Sequence, residues 1–155
     1  MNKHWSFLTA GGAHADLGLL LLRVLIAGPL LIKHGLKTVS SFSVMAQHFP
    51  DPVGIGSMPS LLITVAGTFL CSILIILGLA TRWAALFSSM NLFVAWSFVH
   101  HFAFFAGPEQ DRGEVLVLFL GVLLSLVVAG AGRYSLDYVL TNPTARAIRE
   151  TRAVQ

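Results

Sequence analysis

The sequence predicts an all-α fold, specifically an integral membrane four-helix bundle with a short interfacial helix between the first two transmembrane helices. Of its 155 residues, 55% are hydrophobic and 11% are charged, and the mean hydropathy is +0.78. In soluble domains about a quarter of the residues are charged. About 20 residues of apolar helix are enough to cross the hydrocarbon core of a bilayer. The four apolar runs of this kind cover residues 17–37, 60–79, 83–105 and 114–131.

The expected organisation of the chain follows from these runs. Residues 1–16 form a cytoplasmic N-terminal segment, residues 17–137 the transmembrane domain and residues 138–155 a basic cytoplasmic tail. The first run is too long for the apolar region of a cleaved signal, so we expect it to remain in the mature protein. We expect the protein to be a multi-pass protein of the cell (inner) membrane. The positive-inside rule places both termini in the cytoplasm. The basic residues on that side are Lys3, Arg82, Arg133, Arg146, Arg149 and Arg152, against Lys33, Lys37 and Arg112 on the other.

Two classes of function have little support in the composition. The single cysteine, Cys71, cannot form an internal disulfide, which argues against dithiol redox chemistry within this chain. The net charge of +3 is spread over segment ends and the tail instead of forming one basic stripe. We therefore expect no nucleic-acid partner.

The first span carries an arginine within its apolar sequence. Burying an arginine at the centre of a bilayer costs at least about 2.5 kcal/mol, so Arg23 should face protein or a wet cavity. Ala27, Leu30 and His34 lie on the same helical stripe as this arginine. Pro29 lacks an N–H group, which predicts a kink in this helix.

Residues 38–59 are interrupted by proline and glycine, so they cannot form a continuous spanning helix. Apolar residues recur there at helical spacing, at Phe42, Met45, Ala46 and Phe49. This spacing predicts a short amphipathic helix on the membrane surface. A lid packed on the ends of the other helices fits the same pattern equally well.

The later spans each present a small or polar face. The residues on these faces are Thr64, Thr68 and Ser72 in the second span, Ala84, Ser88, Asn91 and Ala95 in the third, and Gly121, Ser125 and Ala129 in the fourth. The stripe in the fourth span has the spacing that lets membrane helices approach closely. In the third span, His101 lies about 80° from Asn91 and His100 lies on the opposite side, although a kink would exchange the two.

At about 1.5 Å of rise per residue, the polar residues fall at two depths. The expected inner layer is Arg23, Ser72, Asn91 and Ser125, with the amide and hydroxyls offering oxygens to the guanidinium. The expected outer layer is His34, Thr64, His101 or His100, and Glu114, bordered by Lys33 and Lys37. The alternative is that Arg23 extends to the headgroups or to Asp137, that the histidines are interfacial and that Glu114 only complements a helix dipole.

The outer layer would suit one class of cofactor best. Imidazole and carboxyl groups near the interface can hydrogen-bond a quinone carbonyl and exchange protons with the outside. Two imidazoles and a carboxylate are also zinc ligand types, but no ligand spacing fixes a site, so we expect no metal. A haem between paired histidines is expected even less, because the histidines lie near helix ends.

Four short segments carry a resemblance to a known family. They are LLLLRVLIAG at 19–28, KHGLKTV at 33–39, LGLATRWAAL at 77–86 and GAGRYSLD at 130–137. In order and spacing they resemble the DoxX family of small four-helix membrane proteins of bacteria and archaea. The family positions carried over are Arg23, His34, Gly35, Lys37, Gly78, Leu79, Thr81, Arg82, Glu114, Ser135, Leu136 and Asp137. Thr68 stands where many relatives have an acidic residue, so a mechanism with two buried carboxylates is not expected.

The resemblance implies a fold and a general type of activity. Because the family is named for a subunit of archaeal sulfur and quinone oxidation, the leading hypothesis is a membrane subunit that supports quinone-linked oxidoreductase chemistry. Its expected partners are oxidoreductase subunits or a second copy of this chain. The expected quinone-binding residues are Arg23, His34, Lys37, Asn91, His101 and Glu114, and the expected structural motif is Gly78, Thr81, Arg82, Ser135 and Asp137.

Two alternatives stay open at this point. One is a small transporter or permeability protein that uses the same polar seam as a path. The other is a non-catalytic assembly subunit that binds a partner through the small-residue stripe of the fourth span. Whether this chain is itself an enzyme is equally open on the sequence alone.

Overall fold

The computed structural model describes residues 13–51, 54–99 and 112–142. Every regular element in these ranges is a helix, which confirms the all-α prediction. The helices are labelled α1 to α6 in chain order below.

Helix α1 covers residues 13–40 without a break. It consists of an α-helical part, Ala13–Pro29, a π-helical turn, Leu30–Gly35, and a second α-helical part, Leu36–Ser40. Because Pro29 has no N–H group, the carbonyl of Leu25 loses its usual donor. The wider π-helical pattern begins at the next residue, so the disturbance predicted at the proline takes the form of a π turn.

A short helix and a capped turn connect α1 to the next long helix. Helix α2, Phe42–Met45, confirms a short helix between the first two long ones. After it, the carboxylate of Asp51 accepts hydrogen bonds from Gly54 N at 2.9 Å, Ile55 N at 3.0 Å, Gly56 N at 2.6 Å and Ser60 Oγ at 3.0 Å. These donors, the Gly56 N–H first among them, hold the pKa of Asp51 below its ordinary value because they stabilise the carboxylate.

Helix α3, Ser57–Leu77, contains a ladder of hydroxyl groups. It is α-helical over Ser57–Val65 and Cys71–Leu77 and π-helical over Ala66–Leu70. The hydroxyls of Thr64, Thr68 and Ser72 donate to the carbonyls of Ser60, Thr64 and Thr68, at 2.9, 2.7 and 2.7 Å. The predicted stripe is therefore present, but its hydroxyl groups donate to backbone carbonyls of their own helix.

The remaining helices complete the described part of the chain. Helix α4 is α-helical over Thr81–Val94 and π-helical over Ala95–Val99, α5 is Arg112–Ala129, and α6 is Leu136–Thr141. The third predicted span continues beyond Val99, so its histidines, His100 and His101, lie outside the described residues.

The long helices pack against one another around a small apolar core. Helix α5 packs along α4, and α1 packs against α3 and α5. The fully buried side chains at these contacts include Leu30, Ile75, Leu123 and Leu126. Where the π turns of α1 and α3 meet, a Cβ on Gly35 would lie only 2.9 Å from Phe69 Cα and from the Thr68 carbonyl oxygen. Glycine is thus required at this contact, since only a residue without a side chain lets the two backbones come so close.

Two helices in the described part of the chain are long and apolar enough to cross a membrane. They are His14–Ser40, with a mean hydropathy of 2.0, and Ser57–Leu77, with a mean hydropathy of 2.5. Helix α5 includes a shorter apolar stretch, Glu114–Ala129. Leu25, Leu118 and Val128 are 69%, 68% and 80% exposed, as expected for side chains that face lipid. The arrangement of four spans in one bundle stays a prediction.

Candidate functional site

The motif Gly78 to Arg82 forms the tight connection between α3 and α4. Gly78 ends α3 in the left-handed conformation, with φ of 70°. Its N–H donates to Ile75 O at 3.1 Å, and the next N–H, of Leu79, donates to Leu74 O at 2.9 Å. This pair of bonds is the Schellman arrangement, which favours glycine because φ is positive. The connection thus reverses the chain within three residues, 78–80, between the end of α3 and the start of α4.

Asp137, far away in the sequence, caps the start of α4. Its Oδ1 accepts from Ala80 N at 2.7 Å and its Oδ2 from Thr81 N at 3.0 Å. Its own N–H donates to Gly78 O at 2.8 Å. The carboxylate therefore satisfies N–H groups that have no partner within the helix, and its charge complements the positive end of the helix dipole.

The side chain of Arg23 in α1 extends to the same connection between α3 and α4. Its side chain is fully buried, and its Nη2 donates to the backbone carbonyl of Tyr134. Asp137 is near enough to attract the guanidinium electrostatically. The guanidinium also touches the position that a side chain on Gly78 would occupy, and the same Cβ would lie 2.6 Å from Ser135 Cβ. Three separated parts of the chain therefore meet at one arginine.

Ser135 and Asp16 fix the segment that carries Asp137. The Ser135 hydroxyl accepts from Tyr138 N at 3.1 Å, which caps α6, and donates to Gly132 O at 2.6 Å. Asp16 at the start of α1 accepts from Arg133 N at 2.9 Å and pairs with the Arg133 side chain at 3.6 Å. We call the set Arg23, Gly78, Thr81, Ser135 and Asp137 the Arg23 cluster.

The Arg23 cluster contains buried donors without acceptors. In the described part of the protein, Arg23 Nε, Arg23 Nη1 and Thr81 Oγ1 are buried and have no hydrogen-bond partner. A buried unsatisfied donor costs about 1–3 kcal/mol. The guanidinium is therefore held by packing, by one carbonyl and by the field of Asp137.

The predicted inner layer of Arg23, Ser72, Asn91 and Ser125 is wrong. Asn91 Nδ2 donates to Ile63 O at 2.9 Å and packs against Gly67. The Ser125 hydroxyl is exposed and donates to Gly121 O at 2.8 Å. Each of these groups finds a nearby backbone acceptor, and Arg23 turns towards the connection between α3 and α4. The alternative expectation that Arg23 extends towards Asp137 describes its direction correctly, although the arginine stays buried.

Among the described candidates for the outer layer, Thr64 is half-buried in α3 and donates to Ser60 O, and the others are exposed. Lys33 and His34 are exposed on the π turn of α1, and Lys37 is exposed on the α-helical part that follows. Glu114 is exposed in the first turn of α5. His101 lies outside the described residues. Among the residues that the structure describes, no three His, Cys, Asp or Glu side chains are grouped so that they could hold a metal ion.

Two features of the structure were not predicted from the sequence. One is the role of Tyr134, which acts through its backbone carbonyl and so leaves no signal in its residue type. The other is an apolar groove between α4 and α5. Its signal is present in the sequence, because Leu86, Met90 and Phe93 recur at helical spacing opposite Leu120 and Leu124.

These features define a class of protein before any comparison. Helices with an apolar perimeter and an arginine that is buried inside the protein, away from lipid, are typical of helical membrane proteins. The model of the DoxX family matches residues 18–101 of this chain. The protein therefore belongs to the DoxX family and is a membrane protein.

A curated relative extends the comparison beyond the family model. A protein of Haemophilus influenzae, described as an uncharacterized protein, is 33% identical to this chain over 120 residues. The alignment covers 75% of this chain and 85% of that relative. No solved structure gives a significant match.

Proposed function

We propose that the protein is a four-span membrane bundle with both termini in the cytoplasm, acting as a membrane subunit that supports quinone-linked oxidoreductase chemistry. The distribution of basic residues supports the orientation, since Arg82 and Arg133 would lie on the cytoplasmic side and Lys33 and Lys37 on the other. In a bacterium with two membranes, the protein would lie in the inner one.

The observation that carries the quinone proposal is the π turn of α1. The π turn Leu30–Gly35 packs against α3. Its residues Lys33 and His34 have exposed side chains. Such turns within α-helices occur frequently at functional sites. A quinone diffusing in the bilayer would reach an exposed side chain of a spanning helix directly from the lipid. The imidazole could then donate to a quinone carbonyl or take up a proton from a quinol.

The other candidates have distinct roles in this proposal. Lys37 lies one turn after Lys33 on the same helix and would contribute positive charge near a reduced, anionic headgroup. Glu114 and His101 would exchange protons with the outer side. Arg23 and Asn91 would act indirectly, because their side chains bind backbone carbonyls and hold the helices in place.

Binding of a quinone analogue to the purified protein in lipid nanodiscs tests the proposal. We expect His34→Ala to weaken binding about tenfold, as for loss of one hydrogen bond to a polar headgroup. Glu114→Gln should shift the pH dependence of binding. His48→Ala is the matched control, since His48 is also exposed but lies in the loop after α2. Equal affinities of the His34→Ala and unmodified proteins would remove His34 from the site.

A second candidate function is a non-catalytic assembly subunit. Gly121, Ser125 and Ala129 of α5 are all exposed, and a Cβ on Gly121 would meet no atom within 4 Å. A second helix could therefore approach this face closely. Gly121→Leu should then abolish co-purification of a partner in mild detergent while quinone binding is unchanged. The transport hypothesis stays a prediction, tested by uptake into proteoliposomes with Arg23→Ala as the control.

A further inference from the structure

A groove of about 280 Å³ runs along the contact between α4 and α5. Its walls are almost entirely apolar, with Leu86, Met90 and Phe93 from α4 and Leu120 and Leu124 from α5. Ser89 contributes the polar side chain in the groove, and its hydroxyl is buried and donates to Leu86 O at 2.8 Å. The polar side chain in the groove is therefore already hydrogen-bonded within the protein. The apolar walls are suited to contact with a hydrocarbon chain.

A cation lies at one end of the groove. Arg82 precedes Leu86 by four residues and Phe93 by eleven, which places it on the same face of α4. Its Nη2 crosses to α5 and donates to Val128 O at 3.3 Å, and Val128 follows Leu124 by one turn. The arginine therefore spans the cleft in line with the groove. Its side chain is exposed, so its other N–H groups can reach a ligand outside the protein.

The residues around Arg82 have the character of a membrane interface. Trp83 is 76% exposed beside it, and tryptophan is enriched at the level of lipid headgroups. From Arg82 to Val94 at the far end of the groove, α4 rises about 18 Å, and one leaflet of hydrocarbon is about 15 Å deep. A lipid whose headgroup lies at Arg82 would thus have one acyl chain along the whole groove.

We propose that the cleft between α4 and α5 binds one anionic glycerophospholipid, with its phosphate on Arg82 and one acyl chain in the apolar groove. The planar guanidinium fork matches a phosphate, and positive charge selects an anionic headgroup over a zwitterionic one. The lipid fills the gap between the helices and bridges α4 to the end of α5. This site is separate from the proposed quinone site on α1 and shares only the proposed orientation of the bundle.

Native mass spectrometry of the protein released from mild detergent tests the site, with phosphatidylglycerol and phosphatidylcholine as probes. We expect one retained phosphatidylglycerol per chain and weaker retention of phosphatidylcholine. Arg82→Gln should lower the affinity for phosphatidylglycerol about tenfold and that for phosphatidylcholine by less, because the choline cation already offsets the charge of its phosphate, so the preference for phosphatidylglycerol is largely lost. Arg133→Gln is the control, because Arg133 is also an exposed arginine but pairs with Asp16 away from the groove. It should change the affinity less than twofold.

A second variant addresses the apolar part of the site. Leu124→Trp fills the groove and should lower retention of both lipids without removing a charge, and circular dichroism would verify that the variant keeps its helices. The proposal is overturned if Arg82→Gln and Arg133→Gln weaken phosphatidylglycerol binding equally, since this result means general charge attraction. It is also overturned if Leu124→Trp retains both lipids as before, or if a prenylated quinone displaces the phospholipid from the groove.

Discussion

A buried arginine in an apolar helix needs acceptors within the protein, and Arg23 finds its acceptor 111 residues away along the chain, at Tyr134 O. The sequence predicted that this arginine faces protein or a wet cavity, because exposure to lipid is costly, and its full burial shows that it faces protein. The partner could not be predicted, since any residue has a carbonyl. The predicted partners, Asn91 and the hydroxyls, bind backbone groups within reach of their own helices or neighbours.

Gly78→Ala is expected to destabilise the protein by at least about 2 kcal/mol. A Cβ there adds the cost of a left-handed alanine and collides with the Arg23 guanidinium and with Ser135. The measurement is the apparent Tm of the purified protein, followed by tryptophan fluorescence. Gly121→Ala is the matched control, because nothing lies within 4 Å of its Cβ, and it should shift stability by less than about 0.5 kcal/mol. Equal Tm values for the two variants would contradict this prediction.

The long helices follow from hydrophobic runs, and where the structure describes their ends these could be predicted within a few residues. The short helix α6 was not predicted. The π turns at Leu30–Gly35, Ala66–Leu70 and Ala95–Val99 could not be predicted either. The first two lie where α1 and α3 fit together around Gly35 and Thr68, and such a contact is a tertiary property. Pro29, which directly precedes the first π turn, was the one residue whose type predicted a disturbance of the helix there.

Gly35→Ala should weaken the contact between α1 and α3 by about 1–3 kcal/mol. The new methyl group would lie 2.9 Å from backbone atoms of α3, which cannot move away by a change of rotamer. The unfolding free energy in a graded denaturing detergent measures this effect. On the same helix, Gly28→Ala meets no atom within 4 Å and should be neutral or slightly stabilising. If the Gly35→Ala and Gly28→Ala variants had the same unfolding free energy, the two π turns could not approach each other as closely as described.

The turn before α3 should lose order in acid. The pKa of Asp51 is lowered in the folded protein, above all by the Gly56 N–H, so the carboxylate contributes stability above the pKa of the unfolded chain. That contribution is lost as the pH falls through the folded pKa, below about pH 4. Amide hydrogen exchange at Gly54, Ile55 and Gly56 should accelerate over this range, after correction for the intrinsic rates. In Asp51→Asn, exchange should be fast at neutral pH also, and a slow, pH-independent profile would contradict the assignment.

At the scale of the whole molecule, three of the four segments that carry the family resemblance, 19–28, 77–86 and 130–137, are neighbours in space, whereas 33–39 packs on the π turn of α3. Gly78 and Thr81 from the connection between α3 and α4 meet Ser135 and Asp137 from the segment before and within α6. The sequence suggested these residues as a structural motif, but their mutual contacts depend on how the helices assemble. Arg23 joins α1 to the same place, so one cluster connects α1 to the ends of helices α3, α4 and α6.

The orientation of the whole molecule is open to a direct labelling experiment. Cysteines introduced singly at Arg133 and at Lys37, in a chain with Cys71→Ala, should react with a membrane-impermeant maleimide from opposite sides. Both positions are exposed. We expect position 133 to react only in inverted vesicles and position 37 in intact spheroplasts, in agreement with the positive-inside rule. Labelling of both positions from one side would exclude a bundle in which they lie on opposite faces.

We expect Arg23 and Asp137 to act as one unit, and a double-mutant cycle measures their coupling. Arg23→Met and Asp137→Asn remove the charges with little change in volume, and each unfolding free energy is compared with that of the double variant. We predict a coupling energy of about 1 kcal/mol or more between the two substitutions, as found for residues in one polar network. Effects that add to within about 0.3 kcal/mol would contradict the cluster.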